Sequence, residues 1–331
     1  MSLPLSLLRQ IQSTSTAQAW QTIFQSVWEI CAPALEKKSA VSAVTKRDRE
    51  VAALDLFLAA AGWDLWQAFD ATVEHTADAL ANWWQNQMGG RAVLILDALS
   101  LREVPWILQG AAERGYNVSS RTTAAELPAD TTQFAKALGF GQRSAISNNG
   151  AGDSHRLEGA RTETADLPWA DCAELIKAEP RWMLWHHWPD SRVHDFAIAG
   201  QGANALTDDA ATKLTSEDFW LLIERLTTGR SLIITSDHGY AATGFFPDTP
   251  DDQQAKFLKE VFKSGRWTTV ESSAAVNQAL PPLDLSLTTR QGTNRFVLGR
   301  RKWKSQGGYP TLAHGGLSLL EVAVPFIELS R

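Results

Sequence analysis

The chain has 331 residues, enough for one large α/β domain with an accessory region or for two domains. Apolar residues make up 44% and charged ones 21%, which excludes long disordered stretches, and no run of about 18 apolar residues could cross a bilayer. With 31 basic and 37 acidic residues the net charge is −6, which excludes a nucleic-acid binder acting through its whole surface but leaves room for a local basic patch.

Two cysteines, Cys31 and Cys172, are too few for a disulfide framework, and no Cys-x-x-Cys motif exists. The N-terminus lacks the basic start and apolar run of a secretion signal. A reducing, cytoplasmic location is therefore expected. The fourteen tryptophans, with groups at Trp63/Trp66, Trp83/Trp84 and Trp182/Trp185/Trp188, are expected to pack the interior rather than stack on bases.

Residues 1–88 read as helical, with Leu54, Leu56, Phe57, Ala60 and Trp63 at helical spacing and Gly89-Gly90 as a stop. This predicts a helical accessory or interaction region over 1–88 and a core over 89–331. Ala92–Leu96 is a continuous apolar run ending at Asp97, the pattern of a strand buried on both faces. A helix over 100–114, a strand near 116–120, and a helix opening after Pro128-Ala129-Asp130-Thr131-Thr132 follow. Residues 143–166 are rich in Ser, Asn, Gly, Asp and Thr and read as a loop.

Trp182–Trp185 reads as a strand ending at the polar cluster 186–194. An amphipathic helix is predicted over 215–228, with Thr215 and Asp218 in capping-box spacing and Gly229 as its stop. Ser231–Thr235 is a second doubly buried strand ending in an Asp, Arg295–Gly299 a third, and Val322–Ile327 an apolar strand after His314-Gly315-Gly316. Alternating strands and helices imply an α/β fold with a doubly wound, largely parallel sheet, whose ligands sit beyond the C-terminal strand ends.

Asp97, Asp190, His194, Asp237 and His238 fall at such ends, and His314 lies in a Gly-rich loop. Each alone could be a cap, a turn or a surface residue. Together they are ligand types that zinc accepts, and three protein ligands with an open position is the catalytic pattern. Two such ions would hold the attacking and leaving oxygens of a displacement at phosphorus. Arg300-Arg301-Lys302-Trp303-Lys304 is a basic run that reads either as a solvated hairpin or as phosphate contacts with a stacking Trp303.

The strings Leu96-Asp97-Ala98-Leu99, Leu127-Pro128-Ala129-Asp130-Thr131, Thr235-Ser236-Asp237-His238-Gly239 and His314-Gly315-Gly316-Leu317-Ser318-Leu319-Leu320-Glu321-Val322, the last followed by Pro325, resemble the alkaline phosphatase superfamily. More narrowly, they resemble its PglZ family over about residues 91–331. The resemblance implies an alkaline-phosphatase-like core and two metal sites, one at Asp190, His194 and His314 and one at Asp97, Asp237 and His238. Thr131 would bridge to the second as the nucleophile. A helix N-terminus there would favour both an alkoxide and a bound phosphoryl group. Asp130 is a charged neighbour that would repel phosphate unless it points away, and Asp130 or Thr132 could equally be the helix cap.

Arg102, Arg300 and Arg301 are candidate substrate contacts. His186 and His187 are expected to pack or support rather than ligate. The expected cofactors are two divalent ions, zinc first, with manganese or magnesium as alternatives. The resemblance implies a phosphodiesterase or nuclease in bacterial anti-phage defence of the BREX kind. Its expected partners are a phosphoester substrate, DNA among the candidates, and defence proteins bound through residues 1–88, with no membrane. The alternatives are a catalytically weak metal-bound scaffold and a phosphomonoesterase or phosphomutase acting on a small molecule.

Overall fold

The computed structural model describes residues 3–152, 154–198, 200–270 and 279–331. The strands are β1 (Gly90–Leu96), β2 (Asn117–Ala124), β3 (Gly150–Ala151), β4 (Arg161–Ala165), β5 (Arg181–His186), β6 (Arg230–Thr235), β7 (Trp267–Thr269), β8 (Asp284–Thr289), β9 (Gly292–Val297) and β10 (Ala323–Ser330). Seven form one sheet in the order β2-β10-β6-β1-β5-β4-β3. β1 is parallel to both β5 and β6, and β5 is parallel to β4. Only β10 and β3 run against their neighbours.

The apolar runs are continuous because both faces of the sheet are covered. Along β1 the side chains alternate between two cores: Ala92, Leu94 and Leu96 join one, Val93 and Ile95 the other. The first core also takes Trp20, Ile23 and Val27 from the helix Thr16–Cys31, Val51 and Leu54 from Ala40–Ala60, and Leu222 and Leu226 from Glu217–Thr227. The second takes Leu80 and Trp84 from Thr76–Asn86, with Phe134 and Leu138 from Thr131–Leu138. The N-terminal helices thus share the core of the sheet. No tryptophan is exposed, and seven of the fourteen are among the most fully buried side chains. Each contributes packing on the scale of about 3–5 kcal/mol lost on truncation to Ala.

Several elements differ from expectation. The 143–166 stretch carries a 3-10 turn (Arg143–Ala145) and the edge strands β3 and β4, whose short lengths hide them among turn residues. Arg295–Val297 belongs to β9 in a separate antiparallel sheet, β7-β9-β8, and not to the main one. The helix Glu217–Thr227 is capped by Ser216, which accepts from the Phe219 amide, and Thr215 instead donates to Ala211 O at the end of the preceding helix, Gly202–Leu214. That preceding helix, like Asp252–Phe262, has no counterpart in the sequence reading.

Candidate metal centre

The parallel strands β1, β5 and β6 deliver their C-terminal ends to one edge of the sheet, and the cluster forms there. Asp97 follows β1, and its backbone links it to the end of β5: Asp97 N donates to His186 O at 3.0 Å, and Asp190 N to Asp97 O at 2.9 Å. Ala98 adopts a positive φ of 61°, an uncommon conformation for a residue with a Cβ. This turn directs its amide to Asp237 Oδ1 at 2.9 Å. Asp237 and His238 follow β6 and are fully buried, as is Asp97.

The glycines after these ligands are there for space. A Cβ on Gly239 would lie 2.3 Å from Leu320 O. Gly315 has φ +99°, and a Cβ there would meet Trp267 at 2.3 Å. The His-Gly-Gly loop is held from behind by Glu321, which accepts from Gly316 N at 2.8 Å, Ser318 Oγ at 2.6 Å and both Arg266 Nε and Nη2 at 2.7 and 2.8 Å. Glu321 O also accepts from Gly239 N at 2.9 Å, which ties the two histidine-bearing loops together.

The structure brings the six predicted ligands together as two groups, Asp97/Asp237/His238 and Asp190/His194/His314, each with its ligand atoms within 4.8 Å of one another. The His238 and His314 rings stack at 4.4 Å, which places the groups side by side. His238 Nδ1 lies 2.9 Å from Gly239 O and His314 Nδ1 3.2 Å from Ala129 O, so each ring donates there and presents Nε2 to the cluster. His238 Nε2 stands 3.5 Å from Asp237 Oδ2 and 3.7 Å from Asp97 Oδ1, beyond hydrogen-bond distance.

Asp237 Oδ2, His238 Nε2 and Asp190 Oδ1 are buried without a hydrogen-bond partner. Buried polar atoms that converge without bonding fit a divalent cation, and a mixed imidazole and carboxylate set suits zinc-like ions. Two of the charge states agree. Burial, then His238, pushes the His314 imidazole down to about 4. Burial opposes ionisation of Asp190, yet a hydrogen bond from His194 and the nearby His238 and His314 hold its carboxyl down at about 2. His314 and Asp190 are therefore in ligand form at neutral pH. Against burial, Asp237 and Asp190 raise the His238 pKa, and the hydrogen bond to Asp190 raises that of His194, so a proton competes with a cation at those two imidazoles.

Thr131 opens its helix beside the first group, and its Oγ1 donates to Asp97 Oδ1 at 3.2 Å. Asp130 is the cap: its Oδ1 accepts from Gln133 N at 3.0 Å and is thereby turned onto the helix. Burial raises the Asp130 carboxyl above its usual range. His186 and His187 lie outside both groups. His186 Nε2 faces Leu167 O at 2.9 Å while its Nδ1 accepts from Trp188 N, and His187 Nε2 pairs with Thr164 Oγ1 at 3.0 Å.

Arg143 is the residue that sequence reasoning missed. Its guanidinium bonds Asp97 Oδ2 at the edge of the cluster, from a side chain one quarter exposed. It sits in a stretch with no periodicity, so only tertiary placement reveals it. The arginines that were expected at substrate are elsewhere. Arg102 is buried, with Nε on Asp48 at 3.0 Å and Nη1 on Tyr240 O at 2.8 Å. Arg300 pairs with Asp55 at 2.6 Å and with Asp48. Arg301 is half-buried, with Nη2 3.5 Å from Pro282 O, and Trp303 is buried with Nε1 donating to Lys263 O at 2.7 Å. The basic run is thus a packed connector, because two acidic residues of the helix Ala40–Ala60 draw Arg300 inward.

No protein-family model matches the chain, and no curated protein sequence does either. Among solved structures, the chain is similar to murine ectonucleotide pyrophosphatase / phosphodiesterase 5, at 11% identity and a TM-score of 0.38, over 73% of this chain and 88% of that one. The human protein of the same name gives 10% identity and a TM-score of 0.39, over 72% and 87%. Phosphonoacetate hydrolase from Sinorhizobium meliloti 1021, in complex with phosphonoacetate, gives 11% identity and a TM-score of 0.39, over 72% and 89%.

Proposed function

We propose that the chain is a two-metal phosphoester hydrolase that prefers phosphodiesters, with Thr131 as its nucleophile. One observation carries the proposal: two sets of His and Asp donors with orphaned buried atoms converge beside a threonine hydroxyl at a helix N-terminus. Asp97, Asp237 and His238 would hold one ion, and Asp190, His194 and His314 the other. When bound, the pair, with zinc the first expectation and manganese or magnesium the alternatives, supplies positive charge for the oxygens at phosphorus and lowers the pKa of a bound hydroxyl or water.

The chain's own residues do the rest. Asp97 accepts the hydrogen bond of the Thr131 hydroxyl and so orients Oγ1. The N-terminus of the helix Thr131–Leu138 would add its positive end toward the phosphoryl oxygens, although the Gln133 amide is taken by the Asp130 cap. Arg143 adds a cationic donor at the same edge. Attack of Oγ1 forms the phosphothreonine and breaks the ester bond, and the leaving alkoxide takes up the hydroxyl proton. Water then breaks the P–Oγ1 bond, releases the phosphate product and restores the threonine.

The four motif strings further support a PglZ-type alkaline phosphatase core over 89–331, acting in anti-phage defence of the BREX kind. Residues 1–88 would be its docking region. Free, buried Cys31 and Cys172 support a cytoplasmic setting, and among the described residues no helix is long and apolar enough to cross a membrane. With Arg300 and Trp303 packed inside, Arg143 at the cluster edge would be the arginine nearest a nucleic-acid phosphate in the centre.

The test is hydrolysis by the metal-loaded full chain of a bis-nitrophenyl phosphodiester, a nitrophenyl monoester and supercoiled plasmid, with Asp237→Ala as the control. Diester turnover that Asp237→Ala abolishes is expected. Faster monoester turnover points to the small-molecule alternative, and bound metal with no turnover of any ester leaves the scaffold. Turnover that survives Asp237→Ala overturns the ligand assignment.

A further inference from the structure

A third group of donors lies outside the centre described above: Asp70, His75 and Glu126, with ligand atoms again within 4.8 Å of one another. His75 precedes the helix Thr76–Asn86, and Glu126 follows β2 by two residues on the segment that leads to Thr131. His75 and Glu126 are buried at 0% and 1% exposure. Neither carboxylate oxygen of Glu126 has a hydrogen-bond partner, nor does Asp70 Oδ1. Three orphaned carboxylate oxygens around one buried imidazole are costly unless a cation joins them.

On its Nδ1 side the imidazole is held as those of the main centre are. Its Nδ1 lies 3.2 Å from Ala125 O, as the Nδ1 of His314 lies 3.2 Å from Ala129 O on the same segment. With the Nδ1 proton donated there, Nε2 faces Asp70 O at 3.2 Å and Asp70 Oδ1 at 3.4 Å, while Glu126 Oε2 stands 3.6 Å from Nδ1. A cation at Nε2 would therefore displace a contact to Asp70 O. Arg290 is the neighbouring cation, but its close bond is to Asp78 at 2.7 Å. It stays 4.0 Å from Asp70 Oδ1 and 3.9 Å from Glu126 Oε2, beyond hydrogen-bond distance, and Asp78 is shared with Arg156.

From this geometry we propose that Asp70, His75 and Glu126 form a separate divalent-cation site of the zinc class, which ties the 70–75 segment to the strand end that carries the Thr131 loop. A proton is the competing occupant. Burial disfavours an imidazolium at His75, whereas Asp70 and Glu126 favour one, and together they raise its pKa.

The experiment uses the full chain with the main centre disabled by Asp237→Ala and His314→Ala, equilibrated with zinc and freed of excess. About one zinc per chain retained there, and lost on adding His75→Gln or Glu126→Gln, is expected. Ring ¹⁵N resonances of His75 in the double variant provide a second readout that leaves the third group intact, and they should shift on zinc addition. Zinc content unchanged by His75→Gln or Glu126→Gln would overturn the proposal. So would His75 resonances that ignore zinc and titrate as an imidazolium.

Discussion

The two halves of the main centre are built differently. Asp97, Asp237 and His238 are fully buried, fixed by the sheet edge, by the Ala98 amide and by Trp185 Nε1, which donates to Asp97 Oδ2 at 3.2 Å. In the other half the side chain of His194 is 66% exposed and stands on the short helix Asp190–Asp195. The buried half is preorganised, and on the proposed function the open half is where substrate and solvent would reach the cluster. A rigid half and an open half should respond differently to the same change.

The largest contrast is expected between Asp237→Ala and His194→Ala. Removing Asp237 should cost at least about 10³-fold in diester turnover, several kcal/mol of charge stabilisation. Loss of the exposed ligand His194 should cost less, because Asp190 and His314 remain to hold the second ion. Steady-state kinetics with metal titration measure both, and equal losses would break the distinction. Glu321→Gln should come next. It breaks a buried pair with Arg266 behind the His-Gly-Gly loop and should destabilise the fold by about 3–5 kcal/mol in denaturant melts.

Arg143→Ala should lower kcat by about 10²-fold while leaving the melting transition near its original position, because its side chain is partly exposed and outside both cores. Arg143→Lys should restore part of the loss, since a lysine keeps the charge without the fork.

A pH series sharpens the burial argument. Burial pushes the His186 imidazole from 6.5 down to about 4, so its neutral form is favoured in the folded chain. The folded value is depressed, so this stability is fully present above pH 6.5 and is lost as pH falls towards 4, by up to about 3 kcal/mol. Urea melts between pH 7 and 4 should show the slope, and His186→Gln should reduce it, leaving the part that the similarly depressed His314 contributes. Smallest of all, Asp130→Ala should cost about 1 kcal/mol through loss of the helix cap, with turnover retained because the carboxylate is turned onto the helix. A rise in turnover would show that its charge still opposes phosphate.

The sheet was legible because doubly buried strands leave uninterrupted apolar runs, and β1, β5 and β6 do so. Asp97, Asp190, Asp237 and His238 stood out because strand ends are where such a fold places its ligands, and His314 because two glycines follow it. What stayed hidden depends on contacts between distant residues. Arg143 reaches Asp97 across 46 positions from a stretch without periodicity. Arg102 and Arg300 looked like substrate contacts until the fold placed Asp48 and Asp55 of a distant helix beside them. The Asp70/His75/Glu126 group joins a helix start to a strand end, and neither segment carries a motif of its own.

The most direct measurement is an anomalous difference map from crystals of the full chain grown with saturating zinc and recorded at the zinc edge. The account predicts one peak bracketed by Asp97, Asp237 and His238, and a second by Asp190, His194 and His314. A map with no peak in either group would contradict it.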